Sequence, residues 1–137
     1  MVALNFQEQF ADDVEEGRKR RSIRAPRKDG RDPKKGRPLT LYTGMRTKAC
    51  RKLGDTIVAR VRPVEINHTG IVLDGKPLYA GDAPAYQGGP DAESYDGDFA
   101  RADGFDSFGD MADWFEQQHG LPFRGNLIEW PDPNSYP

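Results

Sequence analysis

An α+β chain built on a small, mostly antiparallel β-barrel with two helices packed against it is what this sequence predicts. Three observations point there. Apolar residues recur at helical spacing in only two short stretches, one near each end of the chain. Between them the pattern alternates as strands do, broken by Gly- and Pro-containing turns. Strands seldom alternate with helices, so a doubly wound parallel sheet is not expected. The 137 residues suffice for one core, with 36% hydrophobic content and 15 Gly and 11 Pro marking a loop-rich chain. Residues 1–130 read as a single domain, with an acidic loop inserted near 81–98 and a flexible tail over 131–137.

Phe6, Phe10 and Val14 share one helical face, with Asn5 as the expected N-cap and Gly17 as a left-handed C-terminal stop. Residues 21–24 follow as a short strand that places Ser22 and Arg24 on one face and Ile23, the residue expected to be buried, on the other. Residues 26–38 carry Gly30, Pro33 and Gly36 among many charges and read as a loop or arm. A strand is expected over 38–43, a loop or helical turn over 45–52, and the longest strand over 55–66. Residues 70–80 form a hairpin about Asp74-Gly75, a type I′ turn signal. Ser107 caps a second helix over 108–118 whose apolar face is Met111, Trp114 and Phe115, and Gly120 ends it. Phe123 and residues 126–130 supply the closing strand.

Charge is distributed unevenly. The formal net charge is −2, yet residues 17–52 hold 15 Lys or Arg against Asp29 and Asp32, a local +13. From Asp74 onward 13 acids face Lys76, Arg101 and Arg124, a local −10. Such asymmetry points to a polyanion partner, or to two halves that neutralise each other within the fold or in a homo-oligomer. Cys50 is the only cysteine, which excludes an intrachain disulfide, fits a reducing cytoplasmic setting and reads as a small buried packing residue. His68 and His119 lack metal-ligand spacing, so neither a metal nor another cofactor is expected. No apolar run reaches spanning length and no signal pattern opens the chain, so no membrane partner is expected.

The stretch Phe10-Ala-Asp-Asp-Val-Glu-Glu-Gly-Arg-Lys-Arg-Arg-Ser-Ile-Arg24 resembles the opening signature of the ASCH domains, a branch of the PUA-like superfamily. There a helix leads into Gly-x-Lys-x-x-Thr/Ser-x-Arg at the first strand, a pattern that Gly17, Lys19, Ser22 and Arg24 fill. Leu41-Tyr-Thr-Gly-Met-Arg-Thr-Lys-Ala-Cys-Arg-Lys-Leu53 resembles a segment of a stand-alone bacterial and phage branch, and the likeness runs from about Phe6 to Trp130. The resemblance implies a PUA-like barrel with a cleft lined by the Lys, the hydroxyl and the Arg, open to RNA. It also implies, for a minority of members, hydrolysis of the amide of acetylated cytidine by a Thr, a Lys and a Glu. Here Lys19 matches the Lys, Ser22 replaces the Thr, and only Asp103 stands where the acid would be.

Two readings of the chemistry follow. In the first, RNA or single-stranded nucleic acid binds a basic cleft made by Arg18, Lys19, Arg20, Arg21, Ser22, Arg24, Arg46, Lys48, Arg51 and Lys52, with Tyr42 and Tyr79 offering stacking faces. In the second, Ser22, Lys19 and Asp103 hydrolyse an N-acylated, cytidine-type nucleoside, the lysine serving as base. Ser22 is otherwise a strand hydroxyl bonded to its neighbours, and binding stands ahead of catalysis. Arg24 separates function from architecture, since a phosphate-gripping fork and a structural ion pair respond differently to Arg24→Lys.

Overall fold

The computed structural model describes residues 2–81 and 95–135. In chain order the elements are β1 (Val2–Phe6), α1 (Glu8–Glu15), β2 (Arg21–Arg24), β3 (Pro38–Thr43), β4 (Arg51–Ile57), β5 (Arg60–Asn67), β6 (Gly70–Leu73), β7 (Lys76–Pro77), α2 (Asp96–Ala102), α3 (Phe108–His119) and β8 (Phe123–Glu129). Among the described residues this is an α+β chain with three helices and mostly antiparallel sheets. It divides into two compact units, Met1–Val61 with Leu127–Pro137, and Arg62–Asn126.

The first unit holds a three-stranded sheet in the order β1-β3-β4. β1 runs parallel to β3, with Val2 opposite Leu39 and Phe6 opposite Thr43. Parallel neighbours need a crossover connection, and here α1, β2 and the arm over 25–37 supply it. β3 and β4 are antiparallel, with a register shift between Leu41 and Tyr42. Leu4, Phe6, Leu39, Leu41 and Leu53 from the strands are buried, as are Phe10, Ala11 and Val14 of α1. The spacing of those three residues is the apolar stripe the sequence displays. The end of β8 lies in this unit too: Trp130 N–H donates to the Arg20 carbonyl at 3.0 Å, and Ala59 N–H donates to that of Glu129 at 2.8 Å.

Several boundaries depart from expectation. Val2–Phe6 is a strand, so the first helix is capped by Gln7 rather than Asn5, and without a side-chain hydrogen bond. Asn5 instead accepts the Met45 N–H through Oδ1 at 2.9 Å. The single strand expected over 55–66 is two, β4 and β5, parted where Val58 N–H turns to the Arg37 carbonyl. Residues 131–135 are hydrogen-bonded within the first unit. Thr56 Oγ1 donates to the Pro131 carbonyl at 3.2 Å, and Asn134 Nδ2 donates to that of Glu15 at 3.0 Å.

In the second unit β5, β6 and β7 are antiparallel neighbours, with Val64 opposite Leu73 and Val72 opposite Pro77. Asp74 and Gly75 both take positive φ, 54° and 78°, as the expected turn demands. Ser107 caps α3 by accepting the Asp110 N–H at 3.1 Å, and Gly120 follows the helix at φ 79°. Met111 and Phe115 of this helix are buried, as are Phe99, Ile66 and Ile71 elsewhere in the unit, while Trp114 is half-buried. α2 occupies the end of the stretch read as an acidic loop near 81–98, and the rest of that expectation, 82–94, lies outside the described residues. Among the described residues no helix is long and apolar enough to cross a membrane.

Candidate functional site

The turn after α1 brings the basic octet inward. Gly17 sits at φ +80°, and Arg18 and Lys19 both donate their N–H groups to the Asp13 carbonyl at 2.9 Å. A Cβ at Gly17 would lie 2.3 Å from Asp132 Oδ1, so the glycine answers both to backbone angle and to close approach. Lys19 is thereby only 4% exposed, with Nζ 5.2 Å from the centre of the Phe10 ring. Nothing in the sequence signals that burial. In β2, Arg21, Ser22 and Ile23 are all buried, so the expected division into one covered and one open face does not hold there.

Ser22 and Arg24 do share a face. Arg24 Nε donates to Ser22 Oγ at 2.7 Å, and Nη2 donates to the Asn5 carbonyl at 2.7 Å. The guanidinium lies 4.8 Å from the centre of the Phe6 ring, which meets Trp130 edge-on at 5.9 Å. Thr43 Oγ1 donates to the Phe6 backbone carbonyl at 2.8 Å. Asn5, Phe6, Gln7, Glu8, Thr43 and Arg51 line a depression of about 380 Å³ beside this cluster. Asn5, Phe6 and Thr43 are organising residues that a reading centred on the octet does not find.

The basic residues around this cluster fall into two groups. Arg18 pairs with Asp13 at 2.8 Å and with Glu16, Arg51 with Glu15 at 2.8 Å and Asp12 at 3.6 Å, and Lys52 with Asp55. The Asp55 hydrogen bond holds the Lys52 ammonium above its ordinary pKa, and the same bond draws the Asp55 carboxyl down. Arg20, Arg46 and Lys48 are exposed and hold no ion pair among the described residues.

The remaining sequence candidates lie on other elements. Asp103 is 3% exposed at the C-terminal end of α2 and belongs to the second unit, whereas Lys19 and Ser22 belong to the first. Tyr42 is half-buried on β3 opposite Lys52. Tyr79 is 67% exposed in the second unit, its ring 5.4 Å from that of Tyr95. Cys50 is exposed, which corrects the expectation of a buried packing residue: it lies in the 44–50 loop, just before β4 begins.

The arm over 26–37 is tied down at several points. Arg27 Nη2 donates to the Ala3 carbonyl at 2.9 Å, Gly36 N–H donates to that of Val58 at 2.7 Å, and Pro33 is buried. Asp32 accepts the Arg27 N–H at 2.8 Å and Asp29 accepts the Arg31 N–H at 2.9 Å, each closing a local turn.

The chain matches no family model, no curated protein and no solved structure.

Proposed function

We propose that this chain is a PUA-like, ASCH-type barrel protein that binds RNA or single-stranded nucleic acid through the β2 face of its first unit. The observation that carries the reading is the inequality between cations and carboxylates over residues 17–52 of that unit. Arg18, Arg51 and Lys52 are held by acids of α1 and β4, yet Arg20, Arg46 and Lys48 remain exposed without an ion pair among the described residues. Uncompensated positive charge on one surface repels itself and is relieved by a polyanion. The Arg24 guanidinium, placed by Ser22, Asn5 and Phe6, gives that surface a fixed planar donor group. The order helix, Gly17 turn, Lys19, Ser22 and Arg24 supports the family assignment.

A salt titration tests the reading. With about five to eight phosphates neutralised, log affinity for a single strand falls against log salt with a slope of roughly −3.5 to −5.6. Absence of binding to any RNA or DNA at low salt removes the proposal.

One observation favours a second reading, hydrolysis of an N-acylated cytidine-type nucleoside. Lys19 is buried, which is the condition under which a lysine becomes a usable base. Against it, the group bonded to Ser22 Oγ is the Arg24 guanidinium, a donor that stays protonated and takes no proton from the hydroxyl. Incubation with acetylated cytidine decides: turnover that Lys19→Ala and Ser22→Ala abolish establishes the hydrolase, and absence of turnover excludes it.

A further inference from the structure

The largest excess of available charge lies in the arm rather than at β2. Residues 27–37 contain Arg27, Lys28, Arg31, Lys34, Lys35 and Arg37 against Asp29 and Asp32. Both acids are engaged with backbone N–H groups of their own turns. The Arg27 guanidinium donates to the Ala3 carbonyl. Lys28, Arg31, Lys34, Lys35 and Arg37 are exposed and hold no ion pair among the described residues. Three of them, Arg31, Lys34 and Arg37, wall a depression of about 520 Å³ together with Asp32, Val2 and Pro38.

We infer that this depression is a docking site for the phosphodiester backbone of a single-stranded nucleic acid. The inference rests on the nucleic-acid reading above and adds a second contact region to it. Two guanidinium forks and an ammonium around one hollow suit the bridging and bidentate geometry of phosphates. Val2 and Pro38 give the hollow an apolar side against which a base or sugar can lie, a feature an acidic peptide would leave unused. The walls are already in place. The Arg37 N–H donates to the Lys34 carbonyl at 3.1 Å, that of Val58 to Arg37 at 2.9 Å, and Gly36 is held to Val58. The site is therefore built by the backbone, while the charged ends of the side chains are left to the ligand.

The test is fluorescence anisotropy of the full chain with a labelled single-stranded RNA of roughly 12 nucleotides, a length in the range such grooves cover. Three proteins are compared: wild type, Arg31→Ala/Lys34→Ala/Arg37→Ala, and Arg60→Ala/Arg101→Ala/Arg124→Ala, which removes the same formal charge from side chains paired with carboxylates outside both binding regions. The arm variant is expected to bind about tenfold more weakly at low salt and to show a salt slope shallower by roughly 2. The control variant is expected to lose less affinity and to keep its slope. Circular dichroism and melting temperature establish that each variant is folded, and single substitutions at Arg31, Lys34 and Arg37 replace any triple variant that is not. Equal losses in the two triple variants overturn the arm site, as does an unchanged arm variant while Arg20→Ala/Arg46→Ala/Lys48→Ala weakens binding. In that last case the β2 reading survives alone. Displacement of the RNA by polyglutamate as readily as by unlabelled RNA overturns the assignment to nucleic acid, and no binding by wild type overturns both readings.

Discussion

Arg24 Nε donates to Ser22 Oγ at 2.7 Å across two residues of the same strand. The same guanidinium reaches the Asn5 carbonyl, so one side chain ties β2 to β1. Lysine carries its donors on a single tetrahedral nitrogen and cannot make both bonds in this plane. Arg24→Lys is therefore expected to destabilise the protein by about 1–3 kcal/mol, the range for hydrogen bonds to charged groups. Urea unfolding measures that, and RNA titration of the same variant measures any change in affinity. A variant as stable as wild type with weakened RNA binding would place the contribution of Arg24 in ligand contact instead of strand attachment.

Gly17 and Asp132 form a second testable pair. Alanine at Gly17 meets both a positive φ and the Asp132 carboxylate. Gly17→Ala is expected to cost more than about 1 kcal/mol. Asp132→Ala removes one of the two obstacles, so the double variant should be less destabilised than the two single changes added together. A double-mutant cycle by urea denaturation checks this. Strict additivity would mean that Asp132 moves aside freely and the backbone angle is the whole cost.

Asp96 is 4% exposed and its Oδ1 accepts the Ile71 N–H at 3.1 Å. Burial pushes the carboxyl above its ordinary pKa, and the Ile71 bond offsets part of that rise. A folded-state pKa above the unfolded one means the folded protein holds this proton more tightly. The cost of ionisation is then absent below the unfolded pKa and develops as pH rises through the folded one. Asp96→Asn keeps an acceptor and removes the titration. The melting temperature of Asp96→Asn relative to wild type should therefore rise between about pH 3 and about pH 7. A difference that is flat or falls over that range contradicts the assignment.

Ser107→Ala removes the hydroxyl that accepts the Asp110 N–H at the start of α3. A loss of about 1 kcal/mol is expected from thermal or urea unfolding, with Ser107→Asp retaining most of the stability. Equal stability of wild type and Ser107→Ala would show that solvent caps the helix as well as the side chain does.

What could be read from the sequence was the chemistry that acts within a few residues. The Ser107 cap, the Asp74-Gly75 turn, the Gly17 stop, β2 and β3 all declare themselves locally. β1 was hidden because Phe6 falls in helical register with Phe10 and Val14, so one apolar residue served two elements. The division between β4 and β5 was hidden for another reason. Apolar alternation runs through Val58 and Ala59, and what parts the strands is hydrogen bonding to Arg37 and Glu129, both distant in sequence. α2 begins at the end of a Gly-, Pro- and Asp-rich stretch with Tyr95 as its cap, and carries no side-chain capping signal. Within the candidate site, the Lys19-Ser22-Arg24 spacing was legible. The burial of Lys19 and the seat that Asn5 and Phe6 provide for Arg24 were not, since both depend on a strand the local pattern concealed.

The first unit is discontinuous: residues 62–126 intervene between Val61 and Leu127. Its hydrogen bonds from Trp130 to Arg20 and from Ala59 to Glu129 therefore both close long loops. Loop-closure entropy grows only as the logarithm of length, so the long separation takes little from equilibrium stability. It weighs on the kinetics, because contacts remote in sequence form late and slow the search. During synthesis β2, with the Lys19-to-Arg24 segment, waits for its partner strand until almost the whole chain has emerged. Truncation before Leu127 would leave the octet in place and remove the strand end that receives it.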